Sequence, residues 1–137
     1  MATDCPAPRR MVCKLVPARQ IPSGLAKMPL DGPARAASIA RALIGDLASE
    51  HFLVFFLTAA SCPIGYEIYT YGARAHVAVD PPGLIRAVIV SGADSFVTVH
   101  NHPSGRALPS AADESVWAEL DKRAEAVGLH HLDDLVL

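Results

Sequence analysis

The chain has 137 residues, 51% of them hydrophobic and 19% charged, with a formal net charge of −2. This is the length of one domain with a core of its own, and the composition excludes a disordered chain. The acidic balance also argues against a protein organised around phosphate backbones, which needs a basic stripe, so direct nucleic-acid binding is disfavoured.

The N-terminal residues MATDCPAPRR lack the apolar stretch of a signal peptide. The longest apolar run, Phe52 to Ala60, is too short to span a bilayer, so no membrane partner is expected. Cys5, Cys13 and Cys62 form no C-x-x-C spacing and read as free thiols of a reducing, cytoplasmic compartment.

Residues 1–29 read as an N-terminal extension. Its first ten residues are rich in proline, Met11 to Val16 is a candidate short strand, and Pro17 to Pro29 is a loop. The single domain then runs over residues 30–137. Asp31 and Pro33 signal a helix start, and Ala36, Ile39, Ala40, Leu43, Ile44 and Leu47 follow at helical spacing. His51 to Leu57 is a continuous apolar run, as expected of a strand buried on both faces. Ser61-Cys62-Pro63 breaks it, and Ile64 to Tyr71 is the expected partner strand. Arg74 to Val79 is a candidate further strand. Asp80-Pro81 opens a helix carried by Leu84, Ile85, Val88 and Ile89 and closed by Gly92. Ser95 to His100 is a strand by composition. Ser110 opens a last helix that ends at Gly128, and Leu132 to Leu137 is the final strand. The interleaved order predicts an α/β (α+β) fold with a central mixed sheet flanked by helices.

The chemistry-bearing segment is Val99-His100-Asn101-His102-Pro103-Ser104-Gly105, followed by Pro109-Ser110-Ala111-Ala112-Asp113. His100 and His102 are two apart at a strand end, so both imidazoles face one side. The loop after Pro103 is long enough to fold the next helix start back against that strand end, bringing Asp113 to them. Two histidines and a carboxylate suit zinc in its catalytic mode, with a fourth position open to water. Each part also has a plainer explanation. Ser110-x-x-Asp113 is an acceptable capping box, and a lone H-x-H on a strand is a weak signal. The combination is stronger, and capping and ligation do not exclude one another.

The pattern His100-x-His102, seven residues, Ser110, two residues, Asp113 resembles the JAMM signature of the JAB/MPN metalloproteases. The fuller HNHPSG…PS..D string resembles their RadC-like branch, from about Leu30 to Leu137. The resemblance implies a single MPN/JAB domain of cytidine-deaminase-like architecture. It implies one Zn2+ per chain, held by His100, His102 and Asp113. Glu50, ahead of the first apolar strand, would be the general acid/base acting on the zinc-bound water. Ser110 would help hold the oxyanion. Read without the family, Glu50 serves equally as a charge at a helix–strand junction; Glu67, the competing base, falls on the solvent face of its strand.

The activity so implied is a zinc metallo-(iso)peptidase acting on a protein or peptide, with the C-terminal tail of a ubiquitin-like modifier as the candidate substrate. A homo-oligomer is compatible with it. The alternatives are a RadC-like accessory protein of DNA repair and a non-catalytic MPN scaffold. The chain departs from the RadC-like pattern in two places: Asp80-Pro81-Pro82-Gly83 lacks the usual Arg-Glu pair, and Asp133-Asp134 replaces the usual Asp-His. Of the other histidines, His51 is expected at an edge or beside the site, and His130 and His131 on opposite faces of a strand. His76 is expected to be structural or exposed. Trp117 is expected in the core.

Overall fold

The computed structural model describes residues 28–45, 48–70 and 79–137. The candidate strands at Met11 to Val16 and Arg74 to Val79, and His76, lie outside them except for Val79. Eight elements follow in order. Helix α1 (Pro33–Ala40) runs into a π-helical turn, Arg41–Gly45, and β1 (His51–Leu57) and β2 (Pro63–Thr70) come next. Then come α2 (Pro81–Ser91), β3 (Ser95–His100), α3 (Ala111–Ala126) and β4 (His130–Val136).

The four strands form one mixed sheet in the order β2-β1-β3-β4. Strand β1 is antiparallel to both β2 and β3, and β4 lies parallel to β3, with α3 as the crossover. All seven residues of β1 are buried. Their alternation feeds two cores. Leu53, Phe55 and Leu57 pack with Ile39, Ala40 and Ile44 on one face. Phe52, Val54 and Phe56 pack with Leu84, Val88 and Leu120 on the other. A side chain of this size, fully buried, contributes about 1.5–3 kcal/mol, so β1 is the strand around which both layers are built. Among the described residues no helix is long and apolar enough to cross a membrane.

Some boundaries differ from the sequence expectation for local reasons. Helix α1 starts after Gly32, with Pro33 in its first turn and no side-chain cap from Asp31. Asp80 stands at the N-cap of α2 but makes no capping hydrogen bond. Pro82 at N2 carries no N–H for it to cap, which leaves only that of Gly83 at N3, and its carboxylate lies 3.6 Å from Arg86. Gly92 ends α2 in the left-handed conformation, φ 75°, as expected.

Strand β4 begins at His130, two residues earlier than its composition indicates, because pairing with β3 continues past an irregularity. His131 stands opposite Phe96, Asp133 opposite Val97 and Asp134 opposite Thr98, leaving Leu132 as the extra residue. That bulge puts His131 and Asp134 on one face of the strand. The His131 ring stacks on Phe96 with centroids 4.6 Å apart. Its Nδ1 is 2.7 Å from Asp121 Oδ1 on α3. Its Nε2 is 2.9 Å from Asp134 Oδ1 but off the N–H direction, so that contact is ionic rather than a directed hydrogen bond. Asp134 in turn accepts from the Thr98 hydroxyl. His130, its neighbour, is exposed, so the two adjacent histidines do face apart.

Burial alone would lower the pKa of His131, but Asp134 and then Asp121 together hold it above the ordinary 6.5. A histidine whose folded pKa is raised contributes stability that is complete below the unfolded value and is lost as pH rises through the folded one. The stability difference between wild type and His131→Gln is therefore expected to be largest below about pH 6.5 and to shrink as pH rises above it. Urea denaturation of both proteins across that range reads it directly; a difference that grows with pH would contradict the pairing.

Candidate metal centre

His100 is the last residue of β3 and is 1% exposed. The antiparallel register sets Phe52 of β1 directly opposite it. The two rings stack at 6.0 Å and 11°, while Trp117 of α3 meets the imidazole from another side at 5.9 Å and 51°. The imidazole is thus wedged between two aromatic rings that fix its plane. His102 follows two residues on, where the chain has left the strand. The end of β4 ties both to one frame: Leu137 N–H donates to the His100 carbonyl at 2.9 Å, and His102 N–H donates to the Leu137 carbonyl at 3.1 Å.

A tight turn follows. Gly105 N–H bonds the His102 carbonyl at 2.8 Å, and Gly105 holds φ 72°, which an L side chain rarely adopts. This turn places the Arg106 carbonyl 2.8 Å from His102 Nδ1. A carbonyl only accepts, so Nδ1 is the donor of this pair, and in the neutral imidazole Nε2 is the nitrogen that presents a lone pair.

Asp113 arrives on the first turn of α3. Ser110 is the N-cap, and the capping box is complete. Asp113 N–H donates to Ser110 Oγ at 3.1 Å, while Asp113 Oδ2 accepts from Ser110 N–H at 2.6 Å and from the Ser110 hydroxyl at 2.7 Å. The other oxygen, Oδ1, is 3.5 Å from His100 Nε2, and Oδ2 is 3.5 Å from His102 Nε2. The two Nε2 atoms face each other at 3.0 Å. Glu50, just ahead of β1, completes the group: one ligand atom from each of Glu50, His100, His102 and Asp113 lies within 4.8 Å of all the others. All four residues singled out for ligation and proton transfer therefore converge, and Ser110 is bonded to one of them. Glu67, the competing base, is exposed on β2, as expected.

The electrostatics match the protonation states a metal requires. Burial of His100 outweighs the pull of Asp113 and keeps its pKa below the ordinary value, which favours the neutral imidazole. Burial alone would raise the Asp113 carboxyl. The hydrogen bonds from the Ser110 side chain and backbone, with His100 and His102 nearby, outweigh it and hold the group below the usual carboxylate range. Neutral imidazoles and an ionised carboxylate are the ligand forms. This donor set fits a bound divalent metal ion.

Three parts of the site go beyond the sequence reading, which sets His51 only at an edge or beside the site. The first is the aromatic wedge of Phe52 and Trp117, which depends on strand register and helix packing. The second is His51, which is buried and has Nδ1 2.8 Å from the Ser49 carbonyl. The third is Asn101, whose side chain joins β3 to the residues on either side of Glu50. Asn101 stands in plain view between the two histidines, yet spacing alone gives it no partner.

Trp117 is the chain's one tryptophan, so its emission reports on His100. Titration of the metal-free protein with Co2+ is expected to quench that emission at one equivalent, and the double substitution His102→Ala/Asp113→Ala to abolish the tight phase. In the same titration Ser110→Ala is expected to weaken Co2+ binding by roughly 10–100-fold, because it releases a ligand's partner. It is also expected to lower stability by about 1 kcal/mol through the lost cap. Unchanged quenching in the double variant would contradict the site.

Comparison with known proteins agrees with this geometry. The description "RadC-like JAB domain" belongs to the family profile that matches residues 30–137. A UPF0758 protein of Finegoldia magna is 34% identical over 108 residues, covering 79% of this chain and 48% of that protein. Others from Trichormus variabilis and Leptothrix cholodnii are 33% identical over 116 and 120 residues, covering 82% and 87% of this chain and 46% and 54% of theirs. The chain spans about half the length of these curated relatives. The chain belongs to the RadC-like JAB domain family.

Proposed function

We propose that this domain is a zinc-dependent metallo-(iso)peptidase that hydrolyses an amide bond of a protein or peptide. The observation that carries the reading is the convergence of His100, His102 and Asp113 with Glu50 beside them. Zinc–ligand bonds of about 2.0–2.1 Å imply donor–donor edges of about 3.3 Å in a tetrahedron. The three edges here are 3.0, 3.5 and 3.5 Å. The two 3.5 Å edges end on different oxygens of Asp113, Oδ1 toward His100 and Oδ2 toward His102, so the three side chains stand at the spacing a tetrahedral ion requires, with the carboxylate free to offer either oxygen.

A zinc ion held there supplies Lewis acidity that brings the ionisation of water down toward about pH 7. The chain's residues do the rest. Glu50 takes the proton of the attacking water and delivers it to the leaving amine nitrogen, which requires a carboxylate close to the metal ligands but not consumed by them. Asp113 Oδ2 is occupied by Ser110, which leaves Oδ1 as the freer ligand atom. Ser110 is the residue for the developing oxyanion; its hydroxyl is turned to Asp113 in the resting arrangement and would turn to substrate. His102 is locked in the ligating tautomer by the Arg106 carbonyl.

The substrate class rests on the family resemblance: JAB enzymes commonly cut at the C-terminal tails of ubiquitin-like proteins, and we place this domain among them, in a reducing cytoplasm. A scaffold role has less support, because a non-catalytic domain has no need of the full donor set.

Glu50→Gln removes the base and keeps the side-chain volume. It is expected to retain one zinc per chain while turnover on a ubiquitin-like protein extended by an amide at its C-terminal tail falls by roughly 10²–10⁴-fold. Metal analysis and a cleavage assay on the same preparation check both halves. Full turnover in Glu50→Gln would overturn the mechanism, and loss of zinc would recast Glu50 as a fourth ligand.

A further inference from the structure

Glu50 belongs neither to the strand that carries the histidines nor to the helix that carries Asp113, so its distance from the metal must be set by something else. Residues 51 and 101 face each other at the end of the β1–β3 ladder. Asn101 N–H donates to the His51 carbonyl at 3.3 Å. On the return side a side chain makes the rung: His51 N–H donates to Asn101 Oδ1 at 2.7 Å. The other end of the same amide reaches across Glu50, with Asn101 Nδ2 donating to the Ser49 carbonyl at 3.1 Å. His51 Nδ1 lies 2.8 Å from that same carbonyl. The backbone before and after Glu50 is thereby fastened by one amide, from a residue that is 2% exposed and sits between the two histidine ligands.

The chemistry of the clamp is specific. A backbone N–H can only donate and a carbonyl can only accept, so the bridge needs an acceptor and a donor on one short planar group. Asparagine supplies both. Aspartate supplies two acceptors and would set a buried charge against the Ser49 carbonyl; leucine matches the shape and supplies neither.

We propose that Asn101 is the positioning residue that fixes Glu50 relative to the metal ligands, an inference that rests on Glu50 acting as the acid/base of the proposed reaction. A rigid tie between base and ligands matters because misplacement of a reacting group by about 1 Å can cost on the order of 10²-fold in rate.

The test uses the full chain loaded with one equivalent of Co2+, whose visible absorption bands report the ligand set and the groups hydrogen-bonded at its open position. Glu50→Gln, Asn101→Leu, Asn101→Asp and the double substitution Glu50→Gln/Asn101→Leu are compared with wild type. The expected result is that Co2+ stoichiometry stays at one and that Glu50→Gln shifts the bands. Asn101→Leu is expected to shift them in the same sense, and the double variant to match Glu50→Gln alone, since a positioning residue has no effect once its target is gone. Asn101→Asp is expected to shift them the same way by a smaller amount, and it serves if the leucine variant does not fold. Wild-type bands in the Asn101 variants beside shifted bands in Glu50→Gln would overturn the clamp, as would effects that simply add in the double variant. Unshifted bands in Glu50→Gln would instead remove the base itself, and the clamp with it.

Discussion

The antiparallel pairing of β1 with β3 is the constraint on which the rest of the molecule depends. It puts Phe52 opposite His100 and His51 opposite Asn101, so the strand that fills both cores also walls the metal centre and delivers Glu50 to it. A slip of one residue would turn every side chain of β1 to the other face of the sheet. His100 would then lose its stacking partner, and Glu50 its anchorage on both sides. Packing and function are enforced by the same register: the large side chains of β1 that make a slip costly also hold the polar end of the strand in place.

The second economy lies at the start of α3. Asp113 is the N3 residue of a capping box and, in the proposed centre, a metal ligand at once. The cap fixes its rotamer before any ion is bound, and the hydrogen bonds from Ser110 keep the carboxylate ionised. The helix N-terminus favours the same charge. His102 is prepared in a similar way by the Arg106 carbonyl, and His100 by burial and two aromatic rings. Little reorganisation is then needed when the ion arrives, and structural residues carry that preorganisation.

How much of this was legible in the sequence follows from the range of the interactions involved. The elements were readable because they rest on local pattern: the apolar run of β1, the proline and glycine boundaries of α2, and the serine that opens α3. The convergence of His100, His102 and Asp113 was readable because H-x-H on a strand and S-x-x-D at a helix start are short-range geometries in a specific family register. What was not readable needs partners far apart in the chain. The Phe52–His100–Trp117 wedge joins β1, β3 and α3. The bulge at Leu132, which turns both His131 and Asp134 toward Asp121 and Thr98, is a property of the β3–β4 pairing rather than of either strand. Asn101 shows the limit most clearly: its neighbours in sequence identified the site, but its role lies in bonds to residues about fifty positions away. The aspartate at position 134, a departure from the RadC-like pattern, likewise has a local explanation only once His131 is seen beside it.

The central claim is that His100, His102 and Asp113 form one metal centre with Glu50 at its edge. Anomalous diffraction from crystals of the zinc-loaded chain, collected on both sides of the zinc absorption edge, tests it most directly. The account predicts a single peak about 2.0–2.2 Å from His100 Nε2, His102 Nε2 and an Asp113 oxygen, with Glu50 outside bonding distance. A peak at other residues, or a loaded site in which these three side chains point elsewhere, would contradict it.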